Sequence, residues 1–218
     1  MVPLNRETTR PNVQETPVTT LLQINTSINN GNGESSQLAR KFVAAYRDRN
    51  PGTTLMVREV AAAEPVPHLD AARFGAFSAK PDQRSAAQQA VVAYSDTLIG
   101  ELAQADVIVL GLPMYNFGVP SQLKAYFDHV ARAGVTFRYT DNGPVGLLTG
   151  KKAYVFATRG GVYAGTPLDT QTGYVRDFLR FIGVTDVNFV YAEGLAIDPQ
   201  SREAGLARAT AEIELLAA

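Results

Sequence analysis

Ala105-Asp-Val-Ile-Val-Leu-Gly-Leu-Pro-Met-Tyr-Asn-Phe-Gly-Val-Pro-Ser-Gln-Leu-Lys124 is the stretch that decides how this chain folds. Asp106 to Leu112 is a short, almost unbroken apolar run rich in β-branched residues, as expected of a parallel strand covered on both faces. Pro113 has no N–H to donate and ends the ladder. A helix is expected from Ser121, just after Pro120, to Ala133. Between strand and helix lies an aromatic loop, Met114-Tyr-Asn-Phe117. In open α/β sheets, ligands collect outside the carboxyl ends of the strands. Soft and aromatic side chains there suit a flat heterocycle. They cover its rings, backbone amides meet its edge, and Asn116 adds both a donor and an acceptor.

Strand-like and helix-like segments alternate on both sides of this stretch. Thr19 to Ile24, Thr54 to Val60, Ala153 to Ala157 and Val187 to Tyr191 read as strands. Ser35 to Asp48, Ala86 to Gln104 and Leu168 to Phe181 read as helices, and Leu206, Ala209, Ile213 and Leu216 line one face of a last one. Ala62 to Ser85, interrupted by Pro65, Pro67 and Pro81, reads as an irregular excursion, and loops of that length are often functional. Asn142-Gly143, between Val135 and Leu148, is a turn signal for a hairpin. The alternation predicts an α/β fold: a doubly wound, five-stranded parallel sheet with an appended β-hairpin.

The 218 residues fit one domain, spanning 19–218 after a polar, proline-bearing arm at 1–18 that reads as flexible. Twenty basic and 21 acidic residues leave a formal charge of -1. Neither nucleic acid nor an anionic membrane is therefore an implied partner. No apolar run approaches the ~20 residues of a membrane span, and no signal-peptide core is present, so a soluble, cytoplasmic protein is expected. With no cysteine in the chain, thiol catalysis and thiolate metal sites are excluded, and redox chemistry would need a bound cofactor. His68 and His129 are too few and too isolated for a metal cluster.

Two more loops belong to the same end of the sheet. Asn25-Thr-Ser-Ile-Asn-Asn-Gly-Asn-Gly-Glu-Ser-Ser36 joins the first strand to a helix start, whose unpaired N–H groups can receive a phosphate. It matches neither the dinucleotide fingerprint nor the P-loop pattern. Thr158-Arg-Gly-Gly161 follows the fourth strand, and its glycines let a backbone approach a flat ring closely.

Taken together, Pro113-Met-Tyr-Asn-Phe117, Val130-Ala-Arg-Ala-Gly-Val-Thr-Phe-Arg-Tyr-Thr-Asp-Asn-Gly-Pro144, Thr149-Gly-Lys-Lys152, Thr158-Arg-Gly-Gly161 and Phe181-Ile-Gly-Val-Thr-Asp186 resemble the FMN-dependent NADH azoreductases. These are flavodoxin-like NAD(P)H:quinone reductases, and the resemblance runs from Thr19 onward. It implies FMN as cofactor and NADH or NADPH as electron donor. Quinones and aromatic azo compounds are the implied acceptors, reduced by ping-pong hydride transfer in a homodimer. It carries phosphate contact to Ser27, Gly33, Glu34 and Ser35. Ring contact falls to Met114, Tyr115, Asn116 and Phe117, and pyrimidine-side contact to Thr158, Arg159, Gly160 and Gly161. Tyr139 and Phe181 match positions that line a substrate cavity completed by a second subunit. No side chain is implied as a catalytic acid or base.

Glu34 departs from the pattern, since relatives commonly have glutamine there. A carboxylate repels phosphate, so its side chain is expected to swing outward and to weaken FMN binding. Two other readings compete with the enzyme. A flavodoxin-type electron carrier would need strong docking charge that this near-neutral chain lacks. A hydrolase, a label some members of the family have carried, finds no His partner, thiol or metal cluster to work with.

Overall fold

The computed structural model describes residues 19–217. The arm expected at 1–18 and Ala218 lie outside them. The elements in chain order are β1 (Thr20–Asn25), α1 (Glu34–Arg49), β2 (Thr54–Glu59), α2 (Ala71–Ser78), α3 (Ala86–Gln104), β3 (Val107–Pro113) and α4 (Ser121–Val130). After them come β4 (Phe137–Thr140), β5 (Gly143–Gly146), β6 (Lys152–Thr158), α5 (Thr172–Ile182), β7 (Asp186–Ala192) and α6 (Pro199–Leu216). Five parallel strands form one sheet in the order β2-β1-β3-β6-β7, and β4 and β5 form the antiparallel hairpin. The flavodoxin-like expectation therefore holds strand for strand. None of the described helices is long and apolar enough to cross a membrane.

Alternation along the strands explains the layering. Leu22, Ile24, Ile108, Leu110, Ala153 and Val155 face one core with residues of α3, α4 and α5. Leu21, Val107, Val109, Tyr154 and Phe156 face the other, with α1 and α6. Every residue of the central β3 is buried, which is why its sequence shows no alternation at all.

Several details differ from expectation, among them the helix expected from Ser121 to Ala133, which ends at Val130. The excursion after β2 contains α2, started by the Asp70 carboxylate, which accepts from the Arg73 N–H at 2.8 Å. Eight residues between proline-bearing flanks are too few for periodicity to reveal. The fourth expected helix begins at Thr172 rather than Leu168, because Asp169 accepts from the Thr172 N–H and occupies the turn before it. Pro113 pairs with Thr158 as the last residue of β3, since only its missing N–H, not its carbonyl, is lost to the ladder.

Glycine decides how close α1 comes to the sheet. A Cβ on Gly111 of β3 would lie 3.1 Å from the Ser35 carbonyl carbon and oxygen and 3.2 Å from the Ser36 nitrogen. The first turn of α1 thus rests directly on the central strand. Gly111→Val should push that turn off the sheet and cost about 1–3 kcal/mol by overpacking. Urea unfolding with a lowered midpoint and an unchanged slope is the expected result.

Candidate functional site

Three loops at the carboxyl ends of β1, β3 and β6 line one open cavity of about 200 Å³, bounded by Ser27, Gly33, Glu34, Met114, Tyr115, Thr158 and Gly160 among others. The structure therefore brings together most of the residues singled out from the sequence. It also shows what each touches.

At the phosphate end, α1 starts without a side-chain cap, because Gly33 stands at its N-cap. Its first N–H groups are open to an anion. Gly33 is required there: a Cβ would sit 2.2 Å from Ser27 Oγ. Ser27 Oγ accepts from the Asn29 N–H at 3.1 Å and lies 3.1 Å from the Tyr115 hydroxyl. The Ile28 N–H also donates to that hydroxyl, at 3.3 Å. Tyr115 thus ties the aromatic loop to the phosphate loop. The Ser35 hydroxyl is fully buried and has no hydrogen-bond partner, and a buried orphan is costly unless a ligand supplies the acceptor. Glu34 does not swing free. It forms an ion pair with Arg202 of α6, which lines the same cavity.

The aromatic loop is a tight turn under strain. Tyr115 and Gly118 exchange both backbone hydrogen bonds, at 3.1 and 2.9 Å. The two residues between them lie at positive φ, 49° for Asn116 and 61° for Phe117. This turn favours Asn-Gly; Asn116 suits it, whereas an aromatic L-residue there costs about 1–2 kcal/mol. The strain is held by residues the sequence reading missed. Gln171 Nε2 donates to the Pro113 and Gly118 carbonyls, both at 3.0 Å. The Thr170 hydroxyl donates to the Phe117 carbonyl. As a result the Phe117 ring stands 50% exposed, with the Tyr163 ring 5.4 Å away. No sequence pattern marks Gln171, because its partners lie more than fifty residues away.

The glycine loop rests on contacts within the chain at two positions. Arg159 cannot offer its side chain to a ligand: the guanidinium is fully buried, 2.6 Å from Asp169 and 3.1 Å from Glu193. It also lies over the Tyr191 ring at 5.0 Å, and its N–H donates to Ala192. Arg159 is a support for the loop. At Gly160 an added Cβ would meet Ala196 Cβ at 3.1 Å, so a larger side chain presses first on the neighbouring Gly194 to Ala196 segment. The N–H groups of Asn116, Phe117, Gly160 and Gly161 donate to no backbone acceptor among the described residues. They form a set of donors suited to the edge of a flat, electron-accepting ring.

Tyr139 and Phe181 stay apart from this crevice within one chain. The hairpin is tied to the far end of α5, where the Leu148 N–H donates to Ile182 and Gly146 abuts Gly183. Tyr139, 75% exposed, borders a separate cavity of about 500 Å³ with Phe74, Phe77 and Arg84. Phe181 packs on Phe137 with ring centroids 4.2 Å apart. His129 is buried between the Phe77 and Tyr94 rings, with Nδ1 2.9 Å from the Ala125 carbonyl, and His68 is exposed. Neither lines the crevice.

A family model described as a flavodoxin-like fold matches residues 19–216. An FMN-dependent NADH:quinone oxidoreductase of Cellvibrio japonicus is 54% identical over 198 residues, 91% of this chain and 99% of that protein. One from Burkholderia pseudomallei is 56% identical over 192 residues, 88% of this chain and 96% of its own length. Among solved structures, an azoreductase from Bacillus anthracis aligns with a TM-score of 0.83 at 28% identity, over 92% of this chain and 99% of that one. An FMN-dependent NADH-azoreductase of the same species, in complex with FMN, aligns with a TM-score of 0.82 at 26% identity, over 92% and 98% of the two chains.

The supports around the crevice yield two expectations. Gln171→Leu removes the donor for two loop carbonyls and should destabilise the protein by about 1–3 kcal/mol, read as a lower urea midpoint. Burial opposes ionisation of Asp169, but hydrogen bonds from Arg159 and Thr172 outweigh it and hold its carboxyl below the ordinary range. A carboxyl depressed on folding contributes stability that is complete above its unfolded pKa and is lost as pH falls through the folded one. Arg159→Met should remove this part of the acid dependence and lower stability at neutral pH by about 3–5 kcal/mol, because it strands buried carboxylates. Urea melts from pH 7 downward would show an unchanged acid limb if the assignment is wrong.

Proposed function

The chain belongs to the flavodoxin-like fold family, and from that premise we propose that it is an FMN-dependent NADH:quinone oxidoreductase that also cleaves aromatic azo compounds reductively. The single observation that carries the proposal is the joined crevice. An uncapped helix start with an orphaned serine hydroxyl meets a strained aromatic loop and a glycine loop with free N–H groups. These residues fit FMN: a dianionic phosphate at one end, a flat ring at the other. Relatives more than half identical over nearly the whole chain bear the same activity in their names, which favours the enzyme over an electron carrier.

When bound, FMN supplies the two-electron chemistry, taking hydride from NADH and giving it to the acceptor. The protein's part is binding and shape. The start of α1, Ser27 and Ser35 hold the phosphate. Met114 and the half-exposed Phe117 cover the ring, and the free N–H groups of Asn116, Phe117, Gly160 and Gly161 donate where negative charge grows on reduction. The order carried over by resemblance is ping-pong, with NADH leaving before the acceptor binds. Cleaving an azo bond to two amines takes two such rounds.

The protein works in the cytoplasm as a homodimer in this reading. Phe117, Val162 and Leu168 leave apolar surface near the crevice, and Tyr139 does so at the hairpin. Exposed apolar area of this kind marks a partner. A second copy could bring Tyr139 and Phe181 to the open side of the crevice, which one chain alone does not do. The purified protein should be yellow, oxidise NADH rapidly with a quinone, and sediment as a dimer. A colourless protein without NADH-dependent quinone turnover would overturn the activity. A fully active monomer at assay concentrations would overturn the assembly.

A further inference from the structure

The cavity at the carboxyl ends of the strands is lined by two arginines, and only one has its charge available. Arg159 is committed to Asp169 and Glu193. Arg202, on the first turns of α6, has a side chain 44% exposed and pairs with Glu34, itself 32% exposed and the first residue of α1. Its position is firmly set. The Asp198 carboxylate caps α6 by accepting from the Ser201 N–H at 2.7 Å. Gly205 brings the same helix so close that a Cβ would lie 2.3 Å from the Glu193 carbonyl oxygen. Glu193 in turn receives the Tyr163 and Ala164 N–H groups at 2.8 and 2.9 Å.

Glu34 poses a problem for any phosphate at the start of α1. Its carboxylate is favoured by the helix dipole and competes for the same N–H groups as the ligand. A guanidinium resolves this, because it has five donors in a planar fork. One edge can keep the carboxylate while another meets phosphate oxygens. We propose that Arg202 is a phosphate-binding residue of the FMN site, and that its pairing with Glu34 both neutralises the misplaced carboxylate and holds the guanidinium ready for the incoming phosphate. This rests on the FMN reading given above. It assigns affinity for the phosphate, as distinct from the ring, to a side chain at the start of the last helix.

The test compares FMN with riboflavin, which has the same ring and ribityl chain but no phosphate. Binding of each to the full chain freed of flavin is followed by flavin fluorescence for wild type, Glu34→Gln, Arg202→Ala and the double variant. Arg208→Ala serves as a control for simple loss of positive charge from α6. Thermal melts confirm that each variant is folded, as expected for an exposed side chain. In the Glu34→Gln background no carboxylate remains to be neutralised, so Arg202→Ala there isolates the arginine's own contact. It should weaken FMN about tenfold, the worth of one charge-assisted hydrogen bond, and shift riboflavin by less than about twofold. Because the ion pair already neutralises its carboxylate, Glu34→Gln alone should shift FMN affinity by less than about twofold, and added salt should weaken FMN more than riboflavin. Equal FMN affinity for Glu34→Gln and the double variant would reduce Arg202 to a partner of Glu34 and overturn the proposal. So would parallel losses for both flavins, or the same loss in Arg208→Ala. Failure of the wild-type chain to bind either flavin would instead overturn the FMN reading, and this inference with it.

Discussion

A buried guanidinium holds one wall of the crevice together. Arg159 has no contact with solvent, yet it reaches Asp169 just before α5, Thr172 at the start of that helix and Glu193 after β7. Glu193 extends the connection to the backbone of Tyr163 and Ala164. The stretch from Arg159 to Thr172 and the segment after β7, more than thirty positions from Arg159, are thereby fixed by one charge. A buried charge persists only when it is paired and hydrogen-bonded. The glycine loop, the turn before α5 and the segment after β7 must therefore keep one mutual arrangement, or all lose it together. Residues 160 and 161 inherit their positions from that arrangement.

The opposite wall is organised by close approach rather than charge. Gly111 lets α1 touch the central strand, and Gly33 lets the loop before α1 touch Ser27. Both contacts bring the open end of the helix down onto the carboxyl ends of β1 and β3. Tyr115 then bridges the two loops through its hydroxyl, while Gln171 and Thr170 reach over from the α5 side to close the strained turn at Asn116 and Phe117. The turn is therefore clamped between both walls. Strain of this kind survives only where its surroundings determine it more than once, and here they do so from two directions.

Much of this was legible in the chain. The unbroken apolar run of β3, the alternating segments around it and the Asn142-Gly143 turn specify element type locally, and their order leaves few topologies to choose from. The three loops predicted to converge do converge, because parallel strands place their carboxyl ends on one side of the sheet. The short helix α2 was hidden, since eight residues between prolines carry too little periodicity. Arg159 was legible as a member of the loop but not as its buried anchor. The sequence states a residue's type and leaves its partners open.

By itself, then, the sequence determined the fold class, the strand order it implies and the end of the sheet where the three loops converge, because these follow from patterns read within a few residues. Tertiary structure alone decided which charges meet. Glu34 and Arg202 are separated by 168 positions, and Gln171 lies 58 positions from the Pro113 carbonyl that it holds. It likewise set Tyr139 and Phe181 at the hairpin end of the molecule, away from their own chain's crevice. Side-chain partners of this kind arise from how helices and loops pack on the sheet, and local periodicity specifies only the face a residue occupies, not what it meets there.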